Sequence, residues 1–488
     1  MSYGHGTAQQ ALARAREQLD FCSVTGHAFW PDMPTDRARY AEIIDYHRQG
    51  FGRLADNWQR LLELEEQTSR PGRFMALPSY EWHSNRYGDH NVYARGPQLP
   101  LQDAEDLPSL RRAVEPFDGL VIPHHIGYAA GYRGIDWRHF REDRSPFVEI
   151  FSLHGCSLGE HAAYPMLHDM GPRDAGSTAE AGWAMGHRFG IVGGTDHHSA
   201  YPGSHGDGRM GVFAEELTRE ALWEAFLARR VYAATGDKID ARMFVDDAWI
   251  GADVKSSGRR DVRVSVVGWD ALDQVVILKN GRIIRRVFPQ PVEPTGDGRR
   301  RYRLRITWGW GRKELLTTWN AKLTLSDGSI EKVDSCFTGP AVVAPKRSEE
   351  RVPAVAAEDD DLPHAIVDQD AQSCTWRSAT RGNLSVRHAT TQALSLEIEA
   401  ALSGKVSVEV NGQKYVHALG ELLNAGRSHY LRGWISEAIR IGPLVPIGDC
   451  TAEARFADSP EKEIDVYRME VRQRNGQWAW LTPIWAER

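Results

Sequence analysis

FGIVGGTDHHSAYPG, residues 189–203, is the stretch on which the fold reading turns. An apolar run over 189–193 gives way at once to Asp196, His197 and His198. Alternate residues of an extended segment face the same way. Asp196 and His198 are therefore expected to share a pocket, with His197 facing away. An acid beside an imidazole is a donor pair for a borderline divalent ion. The bland alternative is a polar loop that caps a helix.

The same layout recurs upstream. CSVTGHA (22–28) ends in His27, and LPSYEW (77–82) brings Glu81 to a strand end, with His83 facing the same side. HNVYAR (90–95) opens on His90. LVIPHHIGY (120–128) runs into His124 and His125, of which one is expected to face the pocket. FVEIFSLHGC (147–156) carries Glu149, expected to orient a ligand from behind, and ends at His154. Helical patterns separate these runs: one after Thr7 as a cap, then 35–69, 106–114, 178–187 and 218–229. Such alternation predicts a parallel α/β architecture, a barrel, over residues 1–237, with its chemistry at the C-terminal ends of the strands.

Fifteen of the 19 histidines lie at or before His205, and none falls between His205 and His364. Histidine is the commonest metal ligand, so this crowding places the chemistry in the first half. The five cysteines, at 22, 156, 336, 374 and 450, form no CxxC pair, which argues against a cysteine zinc site or a disulfide framework. A reducing compartment, the cytoplasm, is expected. A net charge of −7 removes the basic footprint of a nucleic-acid binder. No apolar run reaches the ~18 residues of a membrane span.

Beyond residue 238 the texture becomes β-rich. VRVSVVGWDALDQVVILKNGRIIRRVF (262–288) contains Asn280-Gly281 between two β-rich runs, a hairpin signal. Asp327-Gly328 repeats it, as do Asn411-Gly412 and Asn475-Gly476. Residues 238–340 read as a β-sandwich, 341–363 as a linker, and 364–488 as a second β-rich unit. Trp478, Trp480 and Trp485 could serve glycan or partner binding, or pack an interface.

The ordered motifs resemble those of the PHP (polymerase and histidinol phosphatase) superfamily, in its branch with a C-terminal β-rich extension. SVTGH is similar to that superfamily's TDH segment, with Gly26 for the usual Asp; PSYEW to its strand-end Glu; PHH to its HP element, with His125 for Pro; and GGTDHH to its terminal SDAH. The resemblance implies a distorted (β/α)7 barrel holding two or three divalent ions (Zn, Mn or Fe). His5, His27 and His198 would form one site and Glu81, His90 and His124 a second, with Glu81 and Asp196 sharing a third. SYGHGT would supply His5. The superfamily's opening HxH strand has no counterpart here, and an upstream start codon is expected.

Hydrolysis through a metal-bridging hydroxide is the expected chemistry, with Glu81 and Asp196 as the catalytic carboxylates. A phosphoesterase acting on a small anionic substrate comes first, and an amide or lactone hydrolase second. A non-catalytic metal- or partner-binding protein is third. Arg86, Arg133 and Arg209 are the candidates for binding the anion, because a guanidinium matches phosphate bidentately. The first 236 residues are expected to hold their metal without the β-rich half. The oligomeric state is not legible.

Overall fold

Period-2 apolar alternation marks several strands of the C-terminal half, while short N-terminal strands such as Ser79–Trp82, Leu120–Pro123 and Phe147–Ser152 are buried along their whole length. Arg260–Val267 alternates buried and solvent-facing side chains along nearly its full length. The computed structural model describes residues 6–168, 170–289, 298–312, 315–339, 364–382, 391–423 and 425–488. The expected linker over 341–363 falls outside the described residues.

Five α-helices occur among the described residues: α1 Ala8–Gln18, α2 Arg37–Thr68, α3 Leu107–Val114, α4 Ala179–Ala184 and α5 Arg219–Leu227. The Thr7 hydroxyl accepts from the Gln10 N–H while the Gln10 side chain accepts from the Thr7 N–H, a reciprocal cap that starts α1. Asp36 starts α2 by accepting from the Ala38 and Arg39 N–H groups. Leu54, Trp58, Leu61 and Leu62 on α2 are spaced three and four apart and are buried together.

The N-terminal strands do not close into a (β/α)7 barrel. Strand makes up 43% of the described residues and helix only 19%. The strands fall into small sheets of mixed direction. Phe21–Ser23 pairs in parallel with Met75–Leu77. Gly26–Phe29, Ser79–Trp82, His90–Tyr93 and Leu120–Pro123 form a second sheet, in which the last two junctions are antiparallel. Phe147–Ser152, Gly155–Cys156 and Gly190–Gly193 form a third. The reason is connection length. Residues 83–89 are too few for a crossover, which takes a dozen or more, so the chain after Trp82 must return antiparallel. Between Pro123 and Phe147 a single 3-10 turn, Trp137–His139, stands where a barrel needs a helix.

The last N-terminal strands are shared with the β-rich half. Arg209–Val212 pairs with Val231–Ala234, which pairs with Trp478–Leu481. Trp478 and Trp480 stack 5.7 Å apart and pack with Phe151 and Tyr164. Trp485 is 97% buried, under Arg229. The tryptophan cluster is thus an internal seam, and no ring face of it is open to a glycan.

The β-rich half is two nested sandwiches, and the expected units 238–340 and 364–488 interleave. In the outer one, Leu272–Lys279 pairs with Ile464–Gln473 and Arg260–Val267 with Thr451–Asp458. The inner one lies between Val287 and Thr451 in sequence. One of its sheets runs Ser329–Cys336, Gln392–Ala400, Arg300–Trp310, Glu437–Pro446, Arg427–Tyr430, and the other runs Ala365–Gln369, Ser373–Arg381, Leu316–Leu325, Lys405–Val410, Gln413–Ala418. Trp308, Trp319 and Trp376 lie in its core. Three of the four hairpin signals join paired strands: Asn280-Gly281, Asn411-Gly412 and Asn475-Gly476. Asp327-Gly328 instead turns the chain from one sheet to the opposite one, since Leu316–Leu325 and Ser329–Cys336 belong to different sheets.

Candidate metal centre

Four strand ends and one loop deliver the site. Gly26–Phe29 carries His27 and Ser79–Trp82 carries Glu81, and these two residues sit opposite each other in register. His124 and His125 follow Leu120–Pro123, and His154 follows Phe147–Ser152. Asp196 and His198 sit in the loop after Gly190–Gly193.

His27 Nε2 lies 3.1 Å and His83 Nδ1 3.3 Å from the two oxygens of Glu81. His154 Nε2 lies 2.7 Å and His124 Nε2 3.4 Å from Asp196 Oδ2. His124 reaches both carboxylates, standing 4.0 Å from Glu81 Oε1. Four donor groups result, each with its ligand atoms within 4.8 Å of one another: His27–Glu81–His83, His27–Asp196–His198, Glu81–His124–His125 and His125–His154–Asp196. Glu81, Asp196, His27 and His125 each belong to two groups, so the four join into one continuous cluster. His125 Nδ1 is buried with no hydrogen-bond partner. Imidazole and carboxylate donors gathered in this way could hold a metal ion.

The electrostatics agree with that donor set. Burial opposes the charge on Glu81, yet His27, His83 and His124 outweigh it and hold the carboxyl below its usual range. Asp196 is held low in the same way by His124 and His154. Burial would neutralise His124, but Glu149, Asp196 and Glu81 around it keep its pKa well above the ordinary value. Burial lowers His27 and His125 to about 4, leaving both imidazoles neutral and able to ligate near pH 7. Glu149 Oε2 stands 3.0 Å from His124 Nδ1 and orients that ring from behind.

The backbone is strained where the donors meet. His125, Arg133 and Asp196 have φ of 31°, 70° and 51°, a region that costs a non-glycine residue ~1–2 kcal/mol. Such strain persists only where surrounding contacts hold it, and it gathers at functional sites.

Among the expected ligands, the structure brings together His27, Glu81, His124, Asp196 and His198. His90 is buried, with its Nδ1 2.9 Å from the Gly88 carbonyl, and it joins none of the four groups. His5 lies outside the described residues. His83, on the side of Glu81 as expected, and His154 also belong to the donor groups, and both His124 and His125 join them where only one was expected to face the pocket. The signal for them was a histidine at or just past each strand end. His197 turns away as expected and lies near Asp207.

The three arginines separate. Arg133 enters the site: its Nη2 pairs with Asp89, stands 2.7 Å from His83 Nδ1 and 4.0 Å from Glu81, and its guanidinium lies over Trp30. Arg209 is buried and spent on the Gly203 and Gly236 carbonyls and the Gln18 side chain, so it is a strut with no anion-binding role. Arg86 is exposed and stacks over Tyr87. A further donor group, His205–Asp237–Cys336, is closed by the Arg305 guanidinium 3.7 Å from Asp237, which already supplies the balancing cation.

The geometry is that of a buried histidine–carboxylate centre able to hold divalent metal. A family model described as "Protein of unknown function (DUF3604)" matches residues 204–262. The chain is similar to an uncharacterised protein of Chlamydia pneumoniae, 23% identical over 264 residues, covering 48% of this chain and 41% of that protein. An uncharacterised protein of Chlamydia muridarum is 23% identical over 241 residues, covering 44% of this chain and 38% of that protein. The chain thus spans about two fifths of the length of these curated relatives. No solved structure matches it. No helix among the described residues is long and apolar enough to cross a membrane.

Proposed function

We propose that this protein is a metal-dependent hydrolase, and that a phosphate ester of a small anionic molecule is its substrate. The observation that carries the reading is the sharing of Glu81 and Asp196: each carboxylate belongs to two donor groups, and His124 stands within 4.0 Å of both. The ordered motifs of the PHP resemblance support it as well. Two divalent ions in such a cluster would acidify water and polarise a phosphoryl oxygen. Glu81 and Asp196 would supply the negative charge that holds the ions, and Asp196 would accept the proton. Glu149 and Asp89 keep the ligating rings in place. Arg133 presents the cation at the site that a phosphate needs.

An amide or lactone substrate is the second reading. It is favoured by what the three candidate arginines already do: Arg209 is consumed by backbone carbonyls, Arg86 lies over the Tyr87 ring, and Arg133 is paired with Asp89. A phosphate dianion asks for more positive charge than a neutral carbonyl does.

Elemental analysis of unchelated protein, followed by assays on aryl phosphates and on aryl lactones, tests both readings. At least one tightly held ion is expected. Glu81→Gln should lose more metal and more activity than His198→Ala, because two donor groups lose their anion at once. A parent protein free of metal, or a Glu81→Gln variant that keeps its full complement, refutes the proposal.

A further inference from the structure

The loop that carries Asp196 and His198 is not held by its own half of the chain alone. Tyr201, three residues past His198, is 97% buried and belongs to the hydrophobic core of the inner sandwich, together with Leu304, Trp308 and Phe337. The attachment continues along the loop. The His205 N–H donates to the Phe337 carbonyl at 2.9 Å, the Thr338 hydroxyl donates to the His205 carbonyl at 3.1 Å, and the Gly339 N–H donates to the Ser204 hydroxyl at 2.9 Å. Gly339 has no room for a side chain. A Cβ there would stand 2.6 Å from Tyr201 Cβ and 2.7 Å from His197 Cε1. From the other side, Arg14 of α1 donates to the Ser199 and Ala200 carbonyls at 3.1 and 3.2 Å and lies over the Tyr201 ring.

Asp196 and Ala200 both take left-handed backbone (φ 51° each) within this short loop. A segment bent twice into that region needs outside contacts to stay there. The seat of Tyr201 in the sandwich core and the bonds from 337–339 are such contacts. We propose that Tyr201 is a positioning residue: the inner sandwich grips the metal loop through it and sets where Asp196 and His198 stand. This rests on the metal reading above for its consequence, although the mechanical tie does not. It also gives the β-rich half a role in the site without lending it a ligand.

The test uses the full chain. Hydrogen exchange of the apo protein, read by mass spectrometry, is compared for the parent, Tyr201→Ala and Tyr201→Phe, and Co(II) is then titrated while its visible spectrum is followed. With Tyr201→Ala, amides of residues 194–204 should exchange at least tenfold faster, while those of Phe147–Ser152 stay as in the parent. Co(II) affinity should fall at least tenfold, with an altered spectrum. Tyr201→Phe keeps the ring and should restore exchange, affinity and spectrum together.

Gly339→Ala, a far smaller change to the core, should also loosen 194–204 and weaken Co(II), and it decides the matter where Tyr201→Ala does not fold. Parent-like exchange and Co(II) binding in Gly339→Ala, or faster exchange confined to the inner sandwich in Tyr201→Ala, overturns the proposal. A parent protein that binds no Co(II) would refute the metal reading instead, and the exchange of 194–204 in apo protein would still judge the tie.

Discussion

Glu65 offers the sharpest quantitative test of the N-terminal packing. It sits on α2, fully buried, and neither carboxylate oxygen has a hydrogen-bond partner of normal geometry. Burial pushes its pKa well above the usual 4.5, and Arg219 and the Val24 backbone offset this only in part. A carboxyl that binds its proton more tightly when folded weakens the fold as pH rises above its unfolded pKa. The slope is about 1.4 kcal/mol per pH unit until the folded pKa is reached. Glu65→Gln keeps the shape and removes the ionisation. At pH 4.5 the variant should match the parent within about 0.5 kcal/mol. At pH 6.5, two units higher, it should be more stable by up to about 2.7 kcal/mol. Calorimetry at the two pH values with chelator present, reading the transition that contains α2, measures the difference. An equal effect at both pH values, or a variant less stable at pH 6.5, would show that Glu65 finds a partner that this packing lacks.

Two further outcomes follow from the same contacts. Metal uptake should tighten with pH: His124 is held protonated by Glu149, Asp196 and Glu81, so ligation must displace its proton, and affinity should rise about tenfold per unit between pH 6 and 7. Titrations of equal affinity at both pH values would contradict this. A chain ending near Gly236 should be insoluble or unfolded, against the sequence expectation that it keeps its metal. It strips Trp478–Leu481 from Val231–Ala234 and uncovers the surface under Trp480, leaving an open edge and an apolar patch. A soluble, folded fragment in size exclusion and circular dichroism would refute that.

Much of the site was legible because its signals are local. An apolar run that ends in Glu81, in His124 or in Asp196 states a strand and its polar end within a few residues, and the strands form there. Thr7 with Gln10 caps its helix by contacts three residues apart. Asn280-Gly281 turns a hairpin because both residues accept positive φ, 54° and 79°. Asp327-Gly328 also turns the chain, within the three residues 326–328, yet its flanking strands find partners elsewhere. A turn fixes the chain's reversal and leaves open which sheet receives it.

What the sequence by itself determined was the set of elements and the residues crowded at their ends. The tertiary structure decided what those elements touch. Arg209 and Arg133 are alike as loop cations in the sequence. Three-dimensional packing surrounds one with carbonyls of Gly203 and Gly236 and sets the other beside Asp89, His83 and Glu81. Trp478 and Trp480 share a strand face in either reading, and only the seam with Phe151 and Tyr164 shows that the face is spent on packing. The described strands from Arg300 to Pro446 pair among themselves while those before and after them pair with each other, so one sandwich is nested in another and no boundary in composition marks it. Propensity and periodicity act over a few residues, whereas pairing depends on which edges and apolar faces remain once distant segments have collapsed together.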